Sequence, residues 1–252
     1  MTDTLTYTIH GNDMQATEIH LEPKQTVRAE PGAMMFKEEG ITMHTKTDGG
    51  IMAGVKRMFT GESFFISSFI NDTTKNRSVT FAAPYPGKII PLNLAEYNSA
   101  FYCQKNSFLC AGSDVNVTIA FTKKLGAGLF GGEGFILQKL TGGGIAFVHA
   151  GGTIIRRDLA QNERLDVDTG CIVGFQQTVA YDIRFIGGIR NTLFGGEGLF
   201  LATLKGPGTV YLQSLPLSRL ADRLAATQAF IGGQSGGEGG LGNMFGGFVG
   251  GN

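Results

Sequence analysis

The chain has 252 residues, 42% of them hydrophobic, which is enough to build one large or two ordinary cores. Lys plus Arg and Asp plus Glu stand at 21 each, so no net charge draws the chain to phosphate backbones or anionic lipid, and nucleic-acid binding is not expected. Gly is unusual at 39 residues without a collagen period, which points to many tight turns and a flexible stretch.

The first residues, Met1-Thr2-Asp3-Thr4, are polar and lack the apolar stretch of a secretory signal. Together with an odd count of three cysteines (Cys103, Cys110, Cys171), this gives the expectation of a reduced, cytoplasmic protein. No apolar run approaches the roughly 18 residues needed to span a bilayer.

Along the chain, three short patterns recur in one order. Gly32-Ala33-Met34-Met35 lies 11 residues after Leu21, and Gly170-Cys171-Ile172-Val173 lies 11 residues after Leu159. Ser107-Phe108-Leu109-Cys110 fills the same slot between them. Met58-Phe59-Thr60-Gly61-Glu62 is matched by Leu129-Phe130-Gly131-Gly132-Glu133 and by Leu193-Phe194-Gly195-Gly196-Glu197, each running into an apolar stretch. Gly87-Lys88-Ile89-Ile90 leads to Leu94 as Gly152-Thr153-Ile154-Ile155 leads to Leu159. Recurrence of several elements in one order is the signature of internal repetition. The expected units run roughly over 1–88, 89–153 and 154–216.

Between these patterns the sequence reads as β. Val79, Phe81 and Ala83 alternate with Thr80 and Ala82, as do Val115, Val117 and Ile119 with Asn116 and Thr118, and Val210 and Leu212 with Tyr211 and Gln213. A period of two places one set of side chains on one buried face. Only one segment has helical spacing: Leu217, Leu220, Ala221, Leu224 and Ile231 predict a helix over 217–231, after Pro216, with Ser218 as its N-cap and Gly232-Gly233 as its stop. The expected fold is therefore all-β: three copies of one β-unit in pseudo-threefold order, built as sandwiches or barrels, in one compact domain closed by a C-terminal helix. The Gly-rich stretch 232–252 is expected to be a flexible tail. Within it Leu241, Met244, Phe245 and Phe248 have the spacing of an apolar helix face, suited to docking on a partner, a second subunit or a lipid surface.

Two motif matches fail on context. Gly126-Ala127-Gly128-Leu129-Phe130-Gly131 fits G-x-G-x-x-G, but the dinucleotide site needs a helix after it and a strand is expected here. Gly233-Gln234-Ser235-Gly236-Gly237 fits G-x-S-x-G without the strand-to-helix turn of a nucleophile elbow. His10, His20, His44 and His149 have no metal-ligand spacing with one another or with Cys, so neither metal nor cofactor is expected. Glu62, Glu133 and Glu197 are more informative. Each follows Gly and precedes an apolar strand, and the plain reading is a turn carboxylate bonded to backbone N–H or to a nearby Lys or Arg. The alternative is a small-ligand or hard-cation site, if the three converge.

The segment from Gly32-Ala33-Met34-Met35, through the three Phe-x-Gly-Glu loops, to Leu215-Pro216 resembles the bacterial branch of the altered-inheritance-of-mitochondria family, a family of mitochondrial biogenesis proteins. The resemblance covers nearly all of the chain except the tail. It implies three tandem β-sandwich units similar to the tryptophan RNA-binding attenuation protein. It also implies a link to membrane organisation, and it brings no catalytic residues with it. The functional expectation is a non-enzymatic interaction or scaffold protein with protein partners or self-association, and with membrane association through the tail.

Overall fold

The structure is a computed structural model that describes residues 5–30, 32–46, 66–123, 135–186 and 199–232. The chain divides into two units, Met1–Pro216 and Leu217–Asn252. The first is all-β. Its opening strands are β1 (Thr6–His10), β2 (Ala16–Leu21), β3 (Thr26–Ala29), β4 (Met34–Lys37), β5 (Ile41–Lys46), β6 (Ile66–Asn71) and β7 (Arg77–Ala82). There follow β8 (Gly87–Asn93), β9 (Ala100–Gln104), β10 (Phe108–Gly112), β11 (Asn116–Lys123), β12 (Phe135–Thr141) and β13 (Ile145–Gly151). The last are β14 (Ile154–Leu159), β15 (Arg164–Asp168), β16 (Ile172–Gln176), β17 (Ala180–Ile186), β18 (Leu199–Lys205) and β19 (Gly208–Gln213).

These strands form four antiparallel sheets. The first has the order β1-β2-β7-β4 and the second β5-β6-β3-β10-β13-β8. The third is β11-β12-β9-β16-β19-β14 and the fourth β15-β18-β17. Three apolar cores lie between successive sheets. Ile19, Val79 and Phe81 of the first sheet meet Phe69, Leu109 and Phe147 of the second. Leu92, Phe108 and Val148 of the second meet Phe101, Leu140 and Val173 of the third. Phe135, Ile172 and Phe175 of the third meet Val167, Ile183 and Leu204 of the fourth. Burying each such side chain contributes about 1.5–3 kcal/mol.

Sheets two and three thus have a core on both faces. For this reason Phe108–Gly112 is buried at every position instead of alternating. The alternation expected at Val79, Phe81 and Ala83 is blurred for a different reason: Thr80 between them is itself buried, on the central strand β7.

One expected face is corrected. Val115 and Val117 pack into the core between sheets two and three, but Ile119 is 40% exposed. The ladder of β11 with β12 slips between Ile119 and Phe121. One extra residue reverses the in–out parity, so Phe121 joins the core between sheets three and four instead.

Buried polar groups are tied into turns. Asn71, fully buried, donates through Nδ2 to the carbonyls of Leu21 (2.9 Å) and Lys75 (2.8 Å) and accepts from Thr73 N–H and Thr73 Oγ1. Gln213 accepts from Gly151 N–H and donates to the Gly170 carbonyl.

In the second unit, α1 (Leu217–Gly232) begins one residue before Ser218, which sits inside the helix rather than capping it. Leu217 and Leu224 are exposed.

Candidate interaction edge

Strands β4, β10 and β16 share one local construction. Each pairs on one side with a long strand (β7, β13 and β19), and each ladder skips one residue: Met35, Leu109 and Val173. The reason for a bulge there is a change of aim, since an extra residue re-points the side chains that follow. On their other side β10 and β16 are also paired. Cys110, Ala111 and Gly112 oppose Ala29, Arg28 and Val27 of β3. Gly174, Phe175 and Gln176 oppose Cys103, Tyr102 and Phe101 of β9.

For β4 the second ladder is absent among the described residues: the strand ends the first sheet. Its residues are Met-Met-Phe-Lys, and Met34, Met35 and Phe36 are 36%, 57% and 52% exposed, whereas β10 is buried throughout. Sheet edges are ordinarily kept short, charged or covered, because unpaired N–H and C=O groups invite another strand. Here large, soft apolar side chains stand on an edge that is open among the described residues.

The opposite end of the architecture is open as well. β15 pairs with β18 on one side, and among the described residues its other side has no ladder. The exposed face of the fourth sheet is charged with both signs. Arg184 donates to Thr203 Oγ1 at 2.6 Å, and Thr203 Oγ1 donates to Asp166 Oδ1 at 2.5 Å. Arg184 also lies 3.8 Å from both Asp166 and Asp182. A shallow concavity of about 280 Å³ sits there, lined by Arg164, Tyr181, Asp182, Arg184, Thr203 and Lys205. Both ion pairs are more than half exposed, so they contribute little to stability and act chiefly as a polar surface.

The residues singled out from sequence fall elsewhere. Glu62, Glu133 and Glu197 lie outside the described residues, in the connections β5–β6, β11–β12 and β17–β18. Leu241, Met244, Phe245 and Phe248 lie outside them too, as do the two glycine motifs at 126–131 and 233–237. The exposed His10 pairs with Glu18 at 2.9 Å, and the half-buried His20 bonds Thr8 Oγ1 at 2.9 Å.

Cys103, Cys110 and His149 are sealed in cores, whereas Cys171 is half-buried and His44 exposed. Burial pushes the thiols of Cys103 and Cys110 well up, keeping them protonated and unreactive. Burial holds His149 down at about 4, with the Tyr85 ring edge-on at 4.5 Å. Among the described residues no three His, Cys, Asp or Glu side chains group as metal ligands. Nor is any helix among them long and apolar enough to cross a membrane.

Residues 7–215 match the family described as Mitochondrial biogenesis AIM24. The chain belongs to the AIM24 family. An uncharacterised protein of Streptococcus pyogenes serotype M6 is 28% identical over 215 residues, covering 82% of this AIM24-family chain and 84% of its own. A crystal structure of a Streptococcus pyogenes protein superposes with a TM-score of 0.72 at 26% identity, over 88% of this chain and 99% of that one. The match begins inside β1 and ends just before the helix, so the β4 edge lies within the family's shared region.

Sequence reasoning quoted Met34 and Met35 as part of a repeated pattern and missed that they end exposed. The available signal was positional: the first occurrence of a pattern has no earlier one to supply a neighbouring strand.

Proposed function

We propose that this chain is a non-enzymatic assembly protein made of three successive β-sandwich units, and that its working surface is the open edge of β4. The reading of three units draws support from strand order. Counting from β2, β8 and β14, the first, sixth and third strands lie side by side in each run, and so do the second, fifth and fourth. The three skipped residues occur in the third strand each time. The turn after that strand closes alike in all three, with Ile41, Val115 and Val179 N–H donating to the carbonyls of Glu38, Gly112 and Gln176. Lys24 and Asn162 take the same left-handed conformation two residues into matching turns.

In that frame one observation carries the functional reading: β10 and β16 are covered by a neighbouring unit's strand, and β4 leaves Met34, Met35 and Phe36 exposed. A surface that the fold itself covers twice is adhesive by construction, and a partner strand is what fits it.

The test is the native size of the chain in extracts of cells that make it. The chain should run as a complex well above 26.8 kDa. Phe36→Lys places a charge in the centre of a desolvated contact, where a single residue is worth about 2 kcal/mol or more. That variant should run at the size of a single chain. If the unmodified chain already runs there, the assembly reading is wrong.

A further inference from the structure

We propose that the strand seated on β4 is β15 of a second copy of this chain, so that copies join head to tail. This rests on the assembly reading above and names its partner. The chain forms the same joint twice within itself, as β3 on β10 and β9 on β16, and each joint uses one strand of each kind. β4 is the one strand of the first kind left open among the described residues, and β15 the one of the second kind.

The register follows from the two existing joints. Cys110 and Gly174, each one step past the skipped residue, oppose Ala29 and Cys103. These two pair in turn with Ser67 and Gln138 on β6 and β12, as Val167 pairs with Ala202 on β18. Phe36 therefore opposes Val167 of the other copy, and Lys37 opposes Asp166.

The side chains suit that register. Val167 belongs to the core between sheets three and four, and Phe36 beside it would extend that core over an end now open. Lys37 and Asp166 place opposite charges directly across the ladder, the favourable arrangement for a cross-strand pair. Because each copy offers one edge of each kind, the contact is heterologous, and copies close into a ring or extend in a row.

The experiment uses the purified full chain with Cys171→Ser, the remaining cysteines being buried. One preparation carries Lys37→Cys and another Asp166→Cys; they are mixed, oxidised mildly and resolved by non-reducing mass spectrometry. The mixed disulfide should form at least about 10-fold faster than with Arg164→Cys, which sits two residues out of register on the same face, roughly 7 Å further away. Sedimentation of the unmodified chain should show mass above one copy, lost in Phe36→Lys.

Equal rates for the matched and mismatched pairs overturn the proposal. So does a chain carrying both cysteines that links only to itself. If the purified chain is monomeric while the extract complex persists and is lost in Phe36→Lys, the second copy is excluded and the assembly reading survives. If the extract complex is also missing, both fall.

Discussion

Gly174→Ala tests the joint between β16 and β9 at its tightest point. Gly174 opposes Cys103 across that ladder. A Cβ added there would lie 2.5 Å from the Tyr102 carbonyl oxygen, 2.6 Å from Phe101 Cε1 and 3.1 Å from Cys103 Cα. Two of these three neighbours are backbone atoms, which cannot rotate away, and Phe101 is fully buried in the core between sheets two and three. Overpacking of this kind costs about 1–3 kcal/mol, and fixed neighbours put it toward the upper end. Reduced freedom of the unfolded chain returns roughly 0.4–1 kcal/mol, leaving a net loss near 2 kcal/mol. For a chain of this size each kcal/mol moves Tm by about 2–4 °C, so melting should fall by about 4–8 °C. Hydrogen exchange locates the damage: protection should drop at Tyr102 and Phe175 and hold at Arg28 and Ala111 in the other joint. Unchanged melting would refute the reasoning, and so would equal loss of protection in both joints.

Two further outcomes follow from the buried polar groups. His149 has a folded-state pKa of about 4 against an ordinary 6.5, because burial disfavours its charged form. Between those pH values the unfolded chain takes up a proton that the folded chain refuses. Its contribution, about 3 kcal/mol, is therefore whole above pH 6.5 and lost as pH falls toward 4. His149→Gln installs the side chain that Gln213 places at the matching point of the β14–β19 ladder, and should flatten urea-denaturation stability across that window. An unchanged pH slope would show that His149 is not its source. Tyr97 and Tyr211 share a buried hydroxyl–hydroxyl hydrogen bond of 2.9 Å. Tyr97→Phe strands the Tyr211 hydroxyl at a cost of about 1–2 kcal/mol, and Tyr97→Phe with Tyr211→Phe should cost less than the two single changes summed. Strict additivity in the double-mutant cycle would contradict the pairing.

The all-β class and the family were legible in the sequence because both depend on local signals: alternation, turn glycines and patterns quoted residue by residue. In the ladders Ile89 opposes His149 and Ile154 opposes Gln213. Setting Leu109 beside Met34 and Ile172 is one residue out of step with the ladders, which skip Leu109, Met35 and Val173, so that Phe108 holds the place of Met34 and Ile172. A bulge conceals such a slip, since it changes parity without changing composition.

The open edge was harder to read, for a physical reason. Met34-Met35-Phe36 and Phe108-Leu109-Cys110 are both strongly apolar and equally good candidates for burial. What separates them is the number of strands available to lie alongside, which is a property of the whole chain's order. On the proposed reading, three like units make two joints and leave one strand of each kind over, whatever those strands contain. Polar residues on both leftovers would mark a fold that ends there. β15 is polar, as Arg-Leu-Asp-Val-Asp, while β4 carries Met, Met and Phe beside a single Lys. An unmatched apolar strand, a matched charge pair at Lys37 and Asp166, and a register already used twice in the same chain make the two ends complementary to each other. Met35→Lys distinguishes the alternatives at the level of stability: it should leave Tm of a monomeric chain within about 2 °C, as for an ordinary exposed substitution, but lower a concentration-dependent Tm in an assembled one.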